Sequence, residues 1–334
     1  MSDPRTSADR ERGADPLERR ERVLAALAAA GTDALSGVEL AAALGCSRAA
    51  VHRHVEALRR DGLPVVGDHA GYRLAPGADP VSARLVEARL EPPIAGPVAW
   101  APRIGSTNEE AARRARGGAP EGLVVGADEQ TAGRGRRGRA WVAAPGDALL
   151  VSAVLRPAVA PVDAGLLPIV AAVATAEALG ADATIGWPND VVLGDRKVAG
   201  ILCEMSADQE AVAWAVVGIG INVRSAPDPP DARWRPGALA DLGPPPARAD
   251  LLVELLGALG RRYRRWVTGG AAAVLEAYAA RDRLAGRRVT LTIGRDEVRG
   301  QCAGLDELGR LRLATAGGER RLGAGEVTRL VEPG

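Results

Sequence analysis

Apolar positions recur at helical spacing early in the chain and alternate at strand spacing late in it, with a mixture between. LERRERVLAALAAAG places Leu17, Val23, Leu24 and Leu27 on one face and stops at Gly31, which predicts an amphipathic helix. SGVELAAALGCSRAAVHRHVEALRRDG reads as two short helices: Ser36 caps the first, Gly45 makes the turn, and Ser47 caps the second, whose Val51, Val55 and Leu58 share a face. That is a helix-turn-helix, and LPVVGDHAGYRLAP gives two short strands, turning at 69–71, as its wing. A Pro/Gly/Ala-rich connector follows, with one helix over 81–90. Next come a helix over 109–116 capped by Thr107 or Asn108, strands over 123–127 and 149–155, and an alanine-rich helix over 166–179. A hairpin turning at Gly194-Asp195 and a strand over 213–221 complete the middle. Helices over 249–266 and 270–280 precede alternating segments from Leu284 on, which predict a small barrel of the SH3 kind.

The pattern is that of an α+β multidomain chain. Its expected parts are a charged disordered tail over 1–16, a winged helix-turn-helix over 17–76, and a connector over 77–96. A larger domain over 97–282 and an SH3-like barrel over 283–334 complete it.

Composition narrows the function. With 334 residues, 47% of them hydrophobic, a sizeable core is available. The 43 basic and 42 acidic side chains nearly cancel, so a basic patch must be local. No apolar run is long enough for a membrane span and the N-terminal segment lacks the apolar core of a signal peptide, so no membrane partner is expected. Cys46, Cys203 and Cys302 match no metal-ligand spacing, which points to a reduced, cytoplasmic setting. Residues 1–75 carry 11 arginines against 11 acids, yet the second helix of the helix-turn-helix sets Arg48, His52, Arg53, Arg59 and Arg60 against Glu56 alone. Ser47, Arg48, His52 and Arg53, near its start, are the DNA-binding candidates, with a protein-binding helical domain as the alternative. All three histidines lie in this region, so none serves chemistry further along.

The candidate chemistry centres on QTAGRGRRGRAW, residues 130–141. Gly133, Gly135 and Gly138 alternate there with Arg134, Arg136, Arg137 and Arg139, and Trp141 closes the run. Guanidinium groups on a backbone loosened by glycine predict a loop that orders over a phosphate or carboxylate. The spacing also fits the dinucleotide fingerprint G-x-G-x-x-G, but a turn at Pro145-Gly146 and a further strand follow where that fingerprint needs a helix. Arginine stands at nearly every basic position, so the single lysine, Lys197, marks a site that needs a compact ammonium. It lies seven residues past Asp190 on the return arm of the hairpin, so both can face one cavity.

The order S-T-N at 106–108, GRGRRGR-x-W at 133–141, WPND at 187–190, RK-x-AGIL-x-E at 196–204 and GIGIN at 218–222 resembles the biotin protein ligases. With the winged helix, the chain is most similar to their bifunctional class, which is also a biotin operon repressor. The resemblance implies a central mixed-sheet domain of the biotin/lipoate ligase type. It implies biotin and ATP as substrates, Mg²⁺, and biotinyl-5′-AMP as the intermediate that passes biotin to a lysine of a carboxylase's carrier domain. Operator DNA and a homodimer loaded with adenylate are the other implied partners.

Carried onto this sequence, the family's catalytic roles fall to Lys197, Arg134 and Arg136. Biotin is expected at Ser106, Thr107, Asn108, Gln130, Gly133, Arg134, Gly135, Arg136 and Lys197. ATP is expected at Arg136, Arg139, Trp141, Asn189 and Asp190, with Asp190 also the candidate Mg²⁺ ligand. Gly105 and Gly186 depart from the acidic and basic residues that many members carry before S-T-N and WPND. The alternatives are a winged-helix regulator that senses biotin or its adenylate without turnover, and the related lipoate ligase fold, which the S-T-N and GRGRRG segments fit less well.

Overall fold

The computed structural model describes residues 16–228, 234–293, 296–323 and 326–331. All but the last residue of the tail expected over 1–16 lies outside them. The chain divides into two compact units, Met1–Arg89 and Leu90–Gly334.

In the first unit, α1 (Pro16–Ala30), α2 (Gly37–Ala43) and α3 (Arg48–Arg60) are followed by the antiparallel pair β1 (Val65–Asp68) and β2 (Gly71–Leu74). Ser36 closes a capping box with Glu39, and Ser47 Oγ accepts from the Ala50 amide at 3.2 Å. The predicted stripe is the core: Val23, Leu27, Val51, Val55 and Leu58 pack with Leu40, Val65 and Leu74. The short helix α4 (Ala83–Glu87), within the predicted connector, belongs to this unit, because Ser82 Oγ donates to the Glu21 carboxylate of α1 at 2.6 Å. Burial raises the Glu21 pKa, partly offset by that bond.

The second unit is built on a mixed sheet ordered β3-β4-β5-β9-β8-β7-β6. Its strands are β3 (Val98–Ile104), β4 (Val124–Gln130), β5 (Ala148–Leu155), β6 (Ala183–Gly186), β7 (Asp190–Leu193), β8 (Arg196–Ala207) and β9 (Val212–Asn222). β3 and β4 are parallel, the other neighbours on that path antiparallel, and a two-residue strand β10 (Arg235–Pro236) adds in parallel to β8. The helix α5 (Thr107–Arg116) packs its alanines on Val125, Val154 and Val216. Alternation in β9 puts Val216, Gly218, Gly220 and Asn222 on the face that α5 covers in part, and Val217, Ile219 and Ile221 on the other. Register carries this across the sheet, since Gly220 pairs with Gly200 and Leu150, and Gly218 with Leu202 and Ser152.

Two further helices, α6 (Leu167–Ala178) and α7 (Arg248–Ala279), pack together, and α6 also packs on β6 to β9. The two helices predicted over 249–280 run as one element broken at Gly270, whose φ of 65° no helix interior adopts. The expected SH3-like barrel is seen as a five-stranded antiparallel sheet: β11 (Arg288–Ile293), β12 (Asp296–Leu305), β13 (Leu311–Thr315), β14 (Gly318–Leu322) and β15 (Glu326–Val331), ordered β14-β13-β12-β11-β15. Trp187 Nε1 donates to Gly309 O at 3.1 Å, tying the WPND corner to this sheet.

Candidate active site

A cavity of about 510 Å³ opens over the glycine face of the sheet, within the range that holds a small-molecule ligand. Ser106, Thr107, Asn108, Gln130, Arg134, Gly135, Arg136, Arg139, Trp141, Asn189, Asp190 and Lys197 all line it, so residues 91 positions apart in the chain meet here. Gly133 is buried and does not line the cavity.

At one end stands the start of α5. The sequence expected Thr107 or Asn108 as its cap; the cap position is Ser106, whose hydroxyl makes no capping bond. Gln130 does that work from the end of β4, its Oε1 accepting from the Thr107 amide at 2.7 Å and from Thr107 Oγ1 at 3.1 Å. Asn108 is buried and fully engaged: Nδ2 donates to Leu202 O and Glu204 Oε2, and Oδ1 accepts from Ser152 Oγ at 2.6 Å. Its amide therefore anchors the wall rather than reaching for a ligand.

The arginine-rich segment differs from the loose loop expected. Trp141 N donates to Gly133 O at 2.9 Å, Arg134 bridges Ala140, and Gly135 N donates to Arg139 O at 2.7 Å. A tight turn over Arg136–Gly138 closes this narrow excursion, with Arg137 in the left-handed region at φ 57°. Gly133 is needed for a neighbour within the chain, since a Cβ there would stand 2.4 Å from Trp141 O. The Trp141 indole lies on the glycine floor: a Cβ on Gly220 or Gly200 would come within 2.5 or 2.8 Å of the ring. Its Nε1 is buried with no hydrogen-bond partner, as is Asn222 Oδ1 further along β9. These two orphaned atoms, one a donor and one an acceptor, are polar groups that a bound ligand can satisfy.

The cations sit in different settings. Arg134 is ion-paired with Glu204 at 2.9 Å and stands 3.6 Å from Glu109, so part of its charge is already balanced. Arg136 Nη1 donates to Asn189 Oδ1 at 3.1 Å, while Asn189 Nδ2 donates to Ile201 O. Asn189 thus aims Arg136 and has little amide left to read a base edge. Lys197 Nζ is 2.7 Å from Asp190 Oδ1 and 6.0 Å from the Trp141 ring centre. The other oxygen of Asp190 accepts from Trp234 Nε1 at 3.1 Å, and the residue is only 6% exposed. Asp190 therefore does not fit the Mg²⁺-ligand role, both of its oxygens being committed. Among the described residues no cluster of three or more acidic, histidine or cysteine side chains could hold a metal ion.

Sequence reasoning missed Ser152, Glu204, Asn222 and Trp234 as site residues. The alternation Gly-Ile-Gly-Ile-Asn was the available signal for Asn222, because it puts the asparagine on the glycine side. Cys203 lies on the opposite side of β8, and burial pushes its thiol up to about 12 against a smaller opposing pull from Arg136. Iodoacetamide at about pH 8 is expected to leave Cys203 unmodified in the folded protein, since so few of its thiols are ionised there; peptide mapping checks this, and rapid labelling would contradict it.

In the winged unit, Arg48, His52 and Arg53 are exposed on α3, and Ser47 keeps its hydroxyl in the cap. His52 Nδ1 lies 3.2 Å from Tyr72 Oη of the wing. Arg59 faces inward to Val65 O and Glu56. Among the described residues, no helix is long and apolar enough to cross a membrane.

Comparison with known proteins agrees with this geometry. Residues 100–222 match the biotin/lipoate A/B protein ligase family, 19–73 an HTH domain, and 285–329 the biotin protein ligase C-terminal domain. The bifunctional ligase/repressor BirA of Bacillus subtilis is 32% identical over 320 residues, covering 92% of this chain and 98% of its own. The Escherichia coli bifunctional ligase/repressor is 34% identical, covering 84% and 88%. The biotin protein ligase of Aquifex aeolicus, solved in complex with biotin and ATP, superposes with a TM-score of 0.59 at 27% identity, over 70% of this chain and 99% of that one. In fold, in motif order and in similarity along nearly its whole length, the chain belongs to the biotin protein ligase family.

Proposed function

We propose that this protein is an ATP-dependent biotin ligase that also acts as a biotin-responsive transcriptional repressor. The observation that carries the enzymatic half is the meeting of Lys197, Arg136 and the Ser106–Thr107–Gln130 corner in one cavity. In the first step a biotin carboxylate oxygen attacks the α-phosphorus of ATP; the bond to the β-phosphate breaks and pyrophosphate leaves. In the second, the ε-amine of a carrier lysine attacks the acyl carbon of biotinyl-5′-AMP, AMP departs with the bonding pair, and the amine loses its proton.

The obstacle in the first step is repulsion. Two unit negative charges about 4 Å apart cost about 4 kcal/mol at an effective dielectric near 20, so cations placed before the substrates arrive lower the barrier directly. Lys197, steered by Asp190, and Arg136, steered by Asn189, supply that charge. Ser106 and Gln130 take the ureido end of biotin, while the Asn189–Asp190 end, with Trp234, takes the nucleotide. Mg²⁺ would accompany the ATP phosphates, and Asp190, engaged by Lys197 and Trp234, would not be its ligand.

The winged unit supports the regulatory half: Arg48, His52 and Arg53 lie exposed on its second helix-turn-helix segment. A homodimer loaded with adenylate would match a two-fold operator, and the setting is cytoplasmic. Incubating the purified protein with labelled biotin, ATP-Mg²⁺ and a carrier domain should give acid-stable label on the carrier. No label at any ATP concentration would leave the sensor reading in its place.

Arg136→Gly should still form adenylate but hold it poorly. Losing one charged hydrogen bond to phosphate, about 1.5–3 kcal/mol, speeds release about tenfold to a hundredfold, so bystander lysines become labelled. Labelling that stayed confined to the carrier would refute this role for Arg136.

A further inference from the structure

Trp234 and Arg283 come from segments with no hydrophobic period, and the fold brings them together beside Lys197. The Trp234 indole fills the space next to Gly186, where a Cβ would stand 2.7 Å from the ring. Its Nε1 holds Asp190 Oδ2, and Oδ1 of the same carboxylate holds Lys197.

Arg283 reaches the ring from the segment that joins α7 to β11, its guanidinium carbon 5.2 Å from the ring centre. It is held there firmly. The segment pairs with β6, Arg283 N donating to Ile185 O at 3.1 Å, and Nη1 donates to Gly194 O at 2.7 Å and Thr184 Oγ1 at 3.3 Å. Its Nε is buried without a hydrogen-bond partner although the residue as a whole is half-buried, and the charge of Asp195 acts on it. Partial desolvation, with Arg287, lowers the Arg283 pKa while Asp195 pulls the other way, and the indole face adds a second compensation for the charge.

We propose that Arg283 is a positioning residue for the nucleotide: by stacking on Trp234 it fixes the indole as the wall against which the purine of ATP lies, and with it the Asp190–Lys197 pair. This rests on the ligase reading. It also gives the C-terminal part of the chain a route to the reacting centre, through Arg283, Trp234 and Asp190, that needs no direct contact with substrate.

The test uses the full chain, with biotin-dependent pyrophosphate release followed while ATP and biotin are titrated separately. Arg283→Ala should raise KM for ATP about fivefold to thirtyfold, the range between an exposed and a desolvated cation–π contact, with KM for biotin within about twofold of the parent. In a Trp234→Ala background, adding Arg283→Ala should raise KM for ATP no further. An unchanged KM for ATP, or the same rise in both backgrounds, would overturn the proposal and leave Arg283 a brace for the hairpin turn. If Arg283→Ala fails to fold, Arg283→Lys carries the test, because it keeps the charge and loses the planar face: a selective rise in KM for ATP supports the proposal and an unchanged value refutes it. Absence of pyrophosphate release from the unsubstituted chain would instead defeat the ligase reading, and this inference with it.

Discussion

Replacing Lys197 by methionine should lower the rate of adenylate formation by about a hundredfold to a thousandfold, the loss seen when one preorganised donor to a developing charge is removed. Quenched-flow measurement of labelled adenylate reads this directly. Two effects have to be separated, because the substitution also deprives Asp190 of its ion partner, and that carboxylate side chain is only 8% exposed. An unpaired buried charge disturbs its surroundings whatever the chemistry. The double variant Lys197→Met/Asp190→Asn removes the orphaned charge while leaving an acceptor for Trp234 Nε1. Adenylate formation should stay low in it even where thermal stability recovers. Recovery of the rate together with stability would mean that Lys197 serves only to neutralise Asp190.

The second large effect is expected at a residue with no functional group. Gly218→Ala would put a Cβ 1.9 Å from Asn108 Oδ1 and 2.8 Å from its Cγ. Asn108 cannot swing away, being 5% exposed and held by Ser152, Leu202 O and Glu204. Overpacking costs about 1–3 kcal/mol, and displacing a buried amide from its partners adds about 1–3 kcal/mol. At roughly 2–4 °C per kcal/mol for a unit of this size, Tm should fall by about 4–24 °C. KM for biotin should rise as well, because Thr107 and its bond to Gln130 sit on the same anchor. A Tm within about 2 °C of the parent would show that the corner is not the rigid wall described, since even the smallest values of the two costs together amount to about 4 °C.

How much of this was legible depends on the range of the signals. The winged unit could be read almost residue by residue, because its caps at Ser36 and Ser47 and its stripe of Val51, Val55 and Leu58 are local features. The break between two helical runs at Gly270 was visible for the same reason. The membership of the cavity followed from motif order, and Lys197 with Asp190 from hairpin spacing.

What could not be read was which partner each polar group already has. Gln130 caps a helix 23 positions earlier, Asn108 reaches Glu204 across 96 positions, and Arg134 meets the same carboxylate. Such pairs are set by sheet register, which no short window contains. The arginine-rich excursion was expected to be loose because glycine is permissive. Its backbone bonds and the packing of Trp141 on Gly200 and Gly220 fold it back on itself.

The account depends on two separately steered cations sharing one target. The most direct measurement is a crystal structure of the protein with biotinyl-5′-AMP or a non-hydrolysable analogue. Lys197 Nζ and the Arg136 guanidinium should both lie within about 3.2 Å of oxygens of the acyl-phosphate group, the ordinary reach of a hydrogen bond. A complex in which the linkage touches neither, or in which the two cations face separate ligands, would contradict the account.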